Sequence, residues 1–364
     1  MRSRAGDWVE VRSKEEILKT LDKNGRMEGL PFMPQMFQYC GQRFKVFKRA
    51  HKTCDWVYTI AGRRVSNGVH LEFRCDGEAY EGCQSACLIF WKEAWLKPVT
   101  EARRPVEQSL VDVSPDNNQI INESCCTEAD VLAGTHVGNE QHAAEPRYVC
   151  QGTEVLNFTT PLPWWDVRQY LEDYTSGNVT LGRLVRGFIY AGYTMVLRSG
   201  IGLGRPMRWV YDTVQSLWGG IPHPRRVGYI PAGQSTPTST LNLQPGELVR
   251  VKSFKEILAT IDTEGKNRGL RFDAEQVPYC GSVYPVRTRV TKYIDEKTGK
   301  PSTLKSAAII LEGATCQSRY SYCRMFCPRS IYPWFREIWL ERVPENNQAT
   351  ARPGAEKNTP GQRV

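Results

Sequence analysis

Trp8-Val9-Glu10-Val11 alternates apolar and polar positions with period two, the pattern of a half-buried strand. Ser13-Lys14-Glu15-Glu16 follows in the form of a capping box, in which the Ser13 hydroxyl and Glu16 carboxylate satisfy amide donors at a helix start. Ile17, Leu18 and Leu21 then share one apolar face at helical spacing, and Gly25 is placed to end a short helix. Gly29-Leu30-Pro31-Phe32 leads to a Tyr39-Cys40-Gly41 turn and a basic strand over residues 43–49. A further strand, Val69-His70-Leu71-Glu72, runs into a cysteine cluster and an aromatic segment, Trp91-Lys92-Glu93-Ala94-Trp95-Leu96.

The same order returns at an offset of 240 residues: Val249 and Val251, Ser253-Phe254-Lys255-Glu256, Ile257, Leu258, Ile261 and Gly265. Gly269-Leu270-Arg271-Phe272, Tyr279-Cys280-Gly281, a strand from Val283 and Ile309-Ile310-Leu311-Glu312 complete it, before Trp334-Phe335-Arg336-Glu337-Ile338-Trp339-Leu340. Short strands, one early helix and a cysteine-rich end predict an α+β chain. It holds two homologous small antiparallel β modules, each a bent sheet or SH3-like barrel, flanking a helical middle segment. The boundaries read as module one over 1–99, an acidic, partly disordered linker over 100–146, and a helical, arginine-rich segment over 147–228. A linker over 229–245, module two over 246–344 and a disordered tail over 345–364 follow.

In the middle segment, Pro163-Trp164-Trp165-Asp166 reads as a helix start and residues 181–197 as a stronger helix. Residues 187–197 are apolar between Arg186 and Arg198, which suits a buried helix or an amphipathic one in a membrane interface. Gly200-Ile201-Gly202-Leu203-Gly204-Arg205 reads as a turn between helices, because neither Walker nor dinucleotide-binding spacing is present.

Charge adds a contrast between regions. The net charge is +9 for the chain, +5 over residues 1–99 and −6 over residues 100–150. From residue 181 to 226 every basic residue is arginine (183, 186, 198, 205, 208, 225, 226), against a single acid, Asp212. Such a surface attracts nucleic acid, anionic lipid or phosphorylated compounds. Arg43, Lys45, Arg49 and His51, with Phe47 among them, are expected to form an exposed basic face with the composition used for single-stranded nucleic acid. The sequence shows no transmembrane segment and no apolar leader, so a cytoplasmic location is the expectation.

The 12 cysteines bring in candidate chemistry. Cys40 with Cys75-x7-Cys83-x3-Cys87 recurs as Cys280 with Cys316-x6-Cys323-x3-Cys327. Four thiolates match a structural zinc site or an iron–sulfur cluster; buried or redox-active thiols are the other reading. Cys83 and Cys87 are expected on one helical turn with both sulfurs to one side. His51, Cys54 and His70 occur only in module one and are the candidate catalytic or additional metal-binding residues, although His70 also fits the solvated face of its strand. Cys125, Cys126 and Cys150, near His136 and His142, form a third group without a counterpart in module two.

These observations point to a zinc- or iron–sulfur-binding protein whose tandem modules engage a protein or polyanion, nucleic acid among the options. The alternative is a metalloenzyme with its reactive site in module one. No Gly-x-Ser-x-Gly elbow, His-Glu-x-x-His helix or Cys-x-x-Cys motif points to a particular reaction.

Overall fold

The computed structural model describes residues 2–55, 57–99, 126–138, 146–200, 202–217 and 220–344. The chain is mixed α and β, with several small antiparallel sheets. It divides into two compact units. Unit one comprises residues 1–82, 88–180 and 294–301; unit two comprises 83–87, 181–293 and 302–364. The 147–228 stretch thus contributes to both units, dividing after Thr180. Cys125, His142 and the tail from residue 345 lie outside the described residues.

Unit one begins with β1 (Trp8–Val11) and helix α1 (Lys14–Leu18). Val9 and Val11 are buried and Trp8 is exposed, as period-two alternation requires. Ser13 accepts the Glu16 amide while Glu16 returns a carboxylate to the Ser13 amide, closing the expected capping box. The helix is shorter than its apolar spacing suggests. Thr20 Oγ1 donates to the Ile17 carbonyl at 2.7 Å, and Asp22 draws in the amides of Asn24 and Arg26. The chain therefore turns before Gly25, which takes φ +68° inside that turn.

A short hairpin, β2 (Arg26–Met27) with β3 (Leu30–Pro31), precedes a 3-10 helix (Pro34–Tyr39). The basic strand breaks into β4 (Arg43–Lys45) and β5 (Lys48–Arg49), because the Val46 amide goes to Asp7 and the Phe47 amide to His70. β6 (Lys52–Asp55), β7 (Ala61–Val65), β8 (Gly68–Arg74), β9 (Leu88–Lys92) and β10 (Leu96–Pro98) complete the first part. β10-β1-β4 and β5-β8-β9 are three-stranded sheets, and β6-β7 takes β11 (Thr159–Leu162) as its third strand. Helix α2 (Glu128–Ala133), capped by Thr127 and Asp130, makes residues 126–138 of the expected linker ordered structure. Helix α3 (Arg168–Thr175) follows β11.

Unit two carries α4 (Leu181–Arg198) and α5 (Gly204–Leu217), and between them Gly200 and Gly202 take φ +74° and +77°. Its β elements are β12 (Leu248–Val251), β13 (Lys266–Asn267), β14 (Leu270–Arg271), β15 (Val283–Ile294), β16 (Pro301–Leu311) and β17 (Leu340–Arg342), with α6 (Phe254–Leu258) after β12. The four-stranded sheet runs β16-β15-β12-β17. Within residues 229–245, Leu243 is buried and the Thr236 hydroxyl accepts the Arg268 amide.

Several local arrangements occur once in each unit. β1 pairs antiparallel with β4 and β10, and β12 with β15 and β17. Trp95 Nε1 donates to Thr20 Oγ1 at 3.0 Å, as Trp339 Nε1 does to Thr260 Oγ1 at 3.0 Å. Edge-on aromatic pairs, Phe32–Trp95 and Phe272–Trp339, each have centroids 5.1 Å apart. The indole in each case buries a large apolar body and satisfies its single donor, so it anchors the core without an orphaned polar group. Val249, Val251, Ile257, Phe335 and Trp339 lie together in the core of unit two.

Candidate functional site

Cys40 and Cys280 each cap a 3-10 helix and precede a glycine in the left-handed region, at φ +73° and +76°, so the expected tight turns are present. Burial pushes the Cys280 thiol up to about 12 and raises Cys40 in the same direction. Gln35 Nε2 donates to Cys75 Sγ at 3.1 Å. Cys83 and Cys87 do not share a helical turn: residues 83–87 are irregular, preceded by Gly82 at φ +72° and with Ala86 among them at φ +48°. That segment runs beside β15 instead, where Gln84 Oε1 accepts the amides of Thr291 and Lys292. Cys323 lies in a 3-10 helix (Tyr322–Arg324), with Cys327 beyond its end. Cys40 and Cys75 fall in unit one, while Cys83 and Cys87 fall in unit two with Cys280, Cys316, Cys323 and Cys327. Among the described residues, no three His, Cys, Asp or Glu side chains converge in a metal-holding arrangement.

His51, Cys54 and His70 are all buried. His70 is not on a solvated strand face: β8 is the middle strand of its sheet, His70 Nδ1 lies 2.9 Å from the Ile89 carbonyl, and its ring packs 4.4 Å from Phe90. His51 belongs to a charge cluster that sequence reasoning missed. Its Nε2 lies 3.2 Å from Asp173 Oδ1, while Lys52 Nζ lies 2.5 Å from Asp173 Oδ2 and 5.1 Å from the Tyr170 ring centroid. Arg49 bridges Glu93 and Glu172 at 2.8 and 2.9 Å. Desolvation opposes ionisation of Glu172, but the charges of His51 and Arg49 and the Arg49 hydrogen bond hold its carboxyl below the usual range. The expected exposed basic face is therefore divided: Arg43 and Lys45 are exposed, whereas Arg49 and His51 are buried against acids. Gln169 and Asp173 mark the inward face of α3 with polar residues, which hides it from a search for apolar stripes.

The α4–α5 hairpin presents the strongest departure from ordinary burial. Gly187, Ala191 and Thr194 form the inward face of α4. The Phe326 ring occupies the space that a Cβ at Gly187 would need, so only glycine permits this approach. Arg183 donates to Gln317 at 3.4 Å, Tyr190 packs edge-on against Tyr320 at 5.1 Å, and the Arg198 guanidinium lies 4.8 Å from the Tyr322 ring centroid. The seat of α4 is thus the segment between Cys316 and Cys327. On the inward side of the hairpin, burial raises Tyr193 to about 12, helped by Tyr190. Burial, with Arg208 nearby, lowers His223 to about 4.

The opposite side is apolar and open. Leu181, Val185, Phe188, Ile189, Met195 and Val196 are exposed along α4, and Trp209, Val210, Val214 and Leu217 along α5. Ile189 retains 66% of its accessible surface, Trp209 69% and Leu217 78%. The apolar stretch read as a buried helix is instead an amphipathic helix whose small residues face inward and whose large ones face outward. Spacings of four and three at Gly187, Ala191 and Thr194 are the sequence signal for this orientation. No helix among the described residues is long and apolar enough to cross a membrane. No protein family model and no curated protein matches the chain.

Proposed function

We propose that the protein is a non-enzymatic binding protein in which two related, cysteine-bearing β modules form the scaffold and the outward face of the α4–α5 hairpin is the working surface. The observation that carries this reading is a wide stripe of large apolar residues turned outward on a helix seated by small ones. Exposed patches of this kind mark interaction sites, because a helix normally turns its apolar stripe to the core. Replacing Val185, Ile189 and Val210 together by serine tests it. The variant should melt within about 2 °C of wild type, since surface substitutions shift stability little. A drop of about 10 °C or more would mean that these residues hold the fold together, and would refute the reading.

The matched order of elements, strand pairing and Trp–Thr contacts supports descent of both modules from one duplicated, SH3-like unit. Recurrence of Cys40, Cys75, Cys83 and Cys87 as Cys280, Cys316, Cys323 and Cys327 supports a thiolate clasp for zinc, with an iron–sulfur cluster as the other occupant. In unit two the segment from Cys316 to Cys327 seats α4, so such a clasp would position the working surface. The metalloenzyme alternative would use His51, Cys54 or His70. Burial of all three, and engagement of His51 by Asp173, give it less support.

A further inference from the structure

We propose that the outward face of the α4–α5 hairpin binds the surface of an anionic lipid membrane, lying in the interface without crossing it. This inference rests on the proposal that this face is the working surface, and names its partner. Two features select lipid. The first is the outward stripe itself: Leu181, Val185, Ile189 and Val196 on α4, with Trp209 and Leu217 on α5. Aliphatic side chains gain nothing from a sugar–phosphate backbone, but each methylene placed among acyl chains is stabilised by leaving water. Trp209 has the amphipathic ring that settles at headgroup depth.

The second is charge. From Leu181 to Leu217 the chain carries Arg183, Arg186, Arg198, Arg205 and Arg208, no lysine, and one acid, Asp212. Asp212 is occupied by Arg226 and by the His223 amide, so it offers little opposing field to an incoming headgroup. Arg186, next to Val185, and Arg205, four residues before Trp209, are exposed on the same two helices. A cationic margin around an outward apolar face is complementary to a negatively charged lipid surface. A nucleic acid would leave the aliphatic stripe uncovered.

The full chain should float with phosphatidylcholine vesicles containing about 30% phosphatidylserine, and not with phosphatidylcholine alone. Arg186→Gln with Arg205→Gln should weaken binding roughly twenty-five-fold, at about five-fold per arginine. Ile189→Ser with Trp209→Ser should weaken it by at least about ten-fold, and raised salt should release the wild-type protein. Each variant is accepted only if its melting temperature matches wild type. Absence of flotation at low salt, equal flotation with both vesicle types, or undiminished flotation of the serine variant would overturn the inference. Self-association lost in the serine variant, without vesicle binding, would also overturn it while leaving the binding face itself intact. A collapse in melting temperature of the Val185, Ile189 and Val210 serine variant would instead remove the reading on which it rests.

Discussion

Asp173→Asn tests the charge cluster of unit one. Asp173 is fully buried, with Lys52 Nζ at 2.5 Å and His51 Nε2 at 3.2 Å. Asparagine keeps the shape but removes the negative charge that lies 2.5 Å from the buried Lys52 ammonium. Breaking one side of a buried pair costs about 3–5 kcal/mol, because desolvation of the remaining ion is no longer offset. At roughly 2–4 °C per kcal/mol for a domain of this size, the melting temperature should fall by about 10 °C. Urea denaturation followed by circular dichroism at neutral pH measures the loss directly. A second arm, Lys52→Met with Asp173→Leu, should recover at least half of it, because an apolar pair carries no desolvation penalty. A loss below about 1 kcal/mol for Asp173→Asn, or a double variant as unstable as the sum of the singles, would refute the reasoning.

Other sites give independent predictions. Gly187→Ala should cost about 1–3 kcal/mol, because the new methyl group must displace Phe326, and a thermal melt will register it. His223 is held neutral, its ordinary value of 6.5 lowered to about 4 by burial and by Arg208. The unfolded chain therefore binds the extra proton between those values, so stability should fall as pH drops from about 6.5 to about 4, with a weaker slope in His223→Gln. Ser13→Ala and Ser253→Ala each break a capping box and should each cost about 1 kcal/mol in chemical denaturation. Elemental analysis after anaerobic purification should find zinc, or the broad visible absorption of an iron–sulfur cluster; metal-free protein of undiminished stability would remove the clasp proposal.

The parts of the fold legible in the sequence are those set by local chemistry. The capping boxes at Ser13 and Ser253, the Cys40-Gly41 and Cys280-Gly281 turns and the alternation at Val9 and Val11 each depend on neighbours within a few residues. The break in the basic strand was not legible, because it depends on Asp7 and His70 claiming the amides of Val46 and Phe47. Burial of Arg49, His51 and Lys52 was hidden for the same reason: the acids that make it tolerable arrive from Glu93 and from α3. Cys83 and Cys87, four apart, suggested a helical turn, but the pairing of Gln84 with β15 keeps the segment irregular. On α4 the periodicity was visible and its direction was not. A hydrophobic stripe is ordinarily the buried one, yet here Phe326 leaves room only for glycine, and the large residues turn outward.

Carbene footprinting of the purified full chain, read by mass spectrometry, measures that direction in solution. Ile189, Trp209 and Leu217 should label strongly, and Ala191 and Thr194 on the inward face weakly. Equal protection of the two faces in monomeric protein would contradict the proposed binding surface.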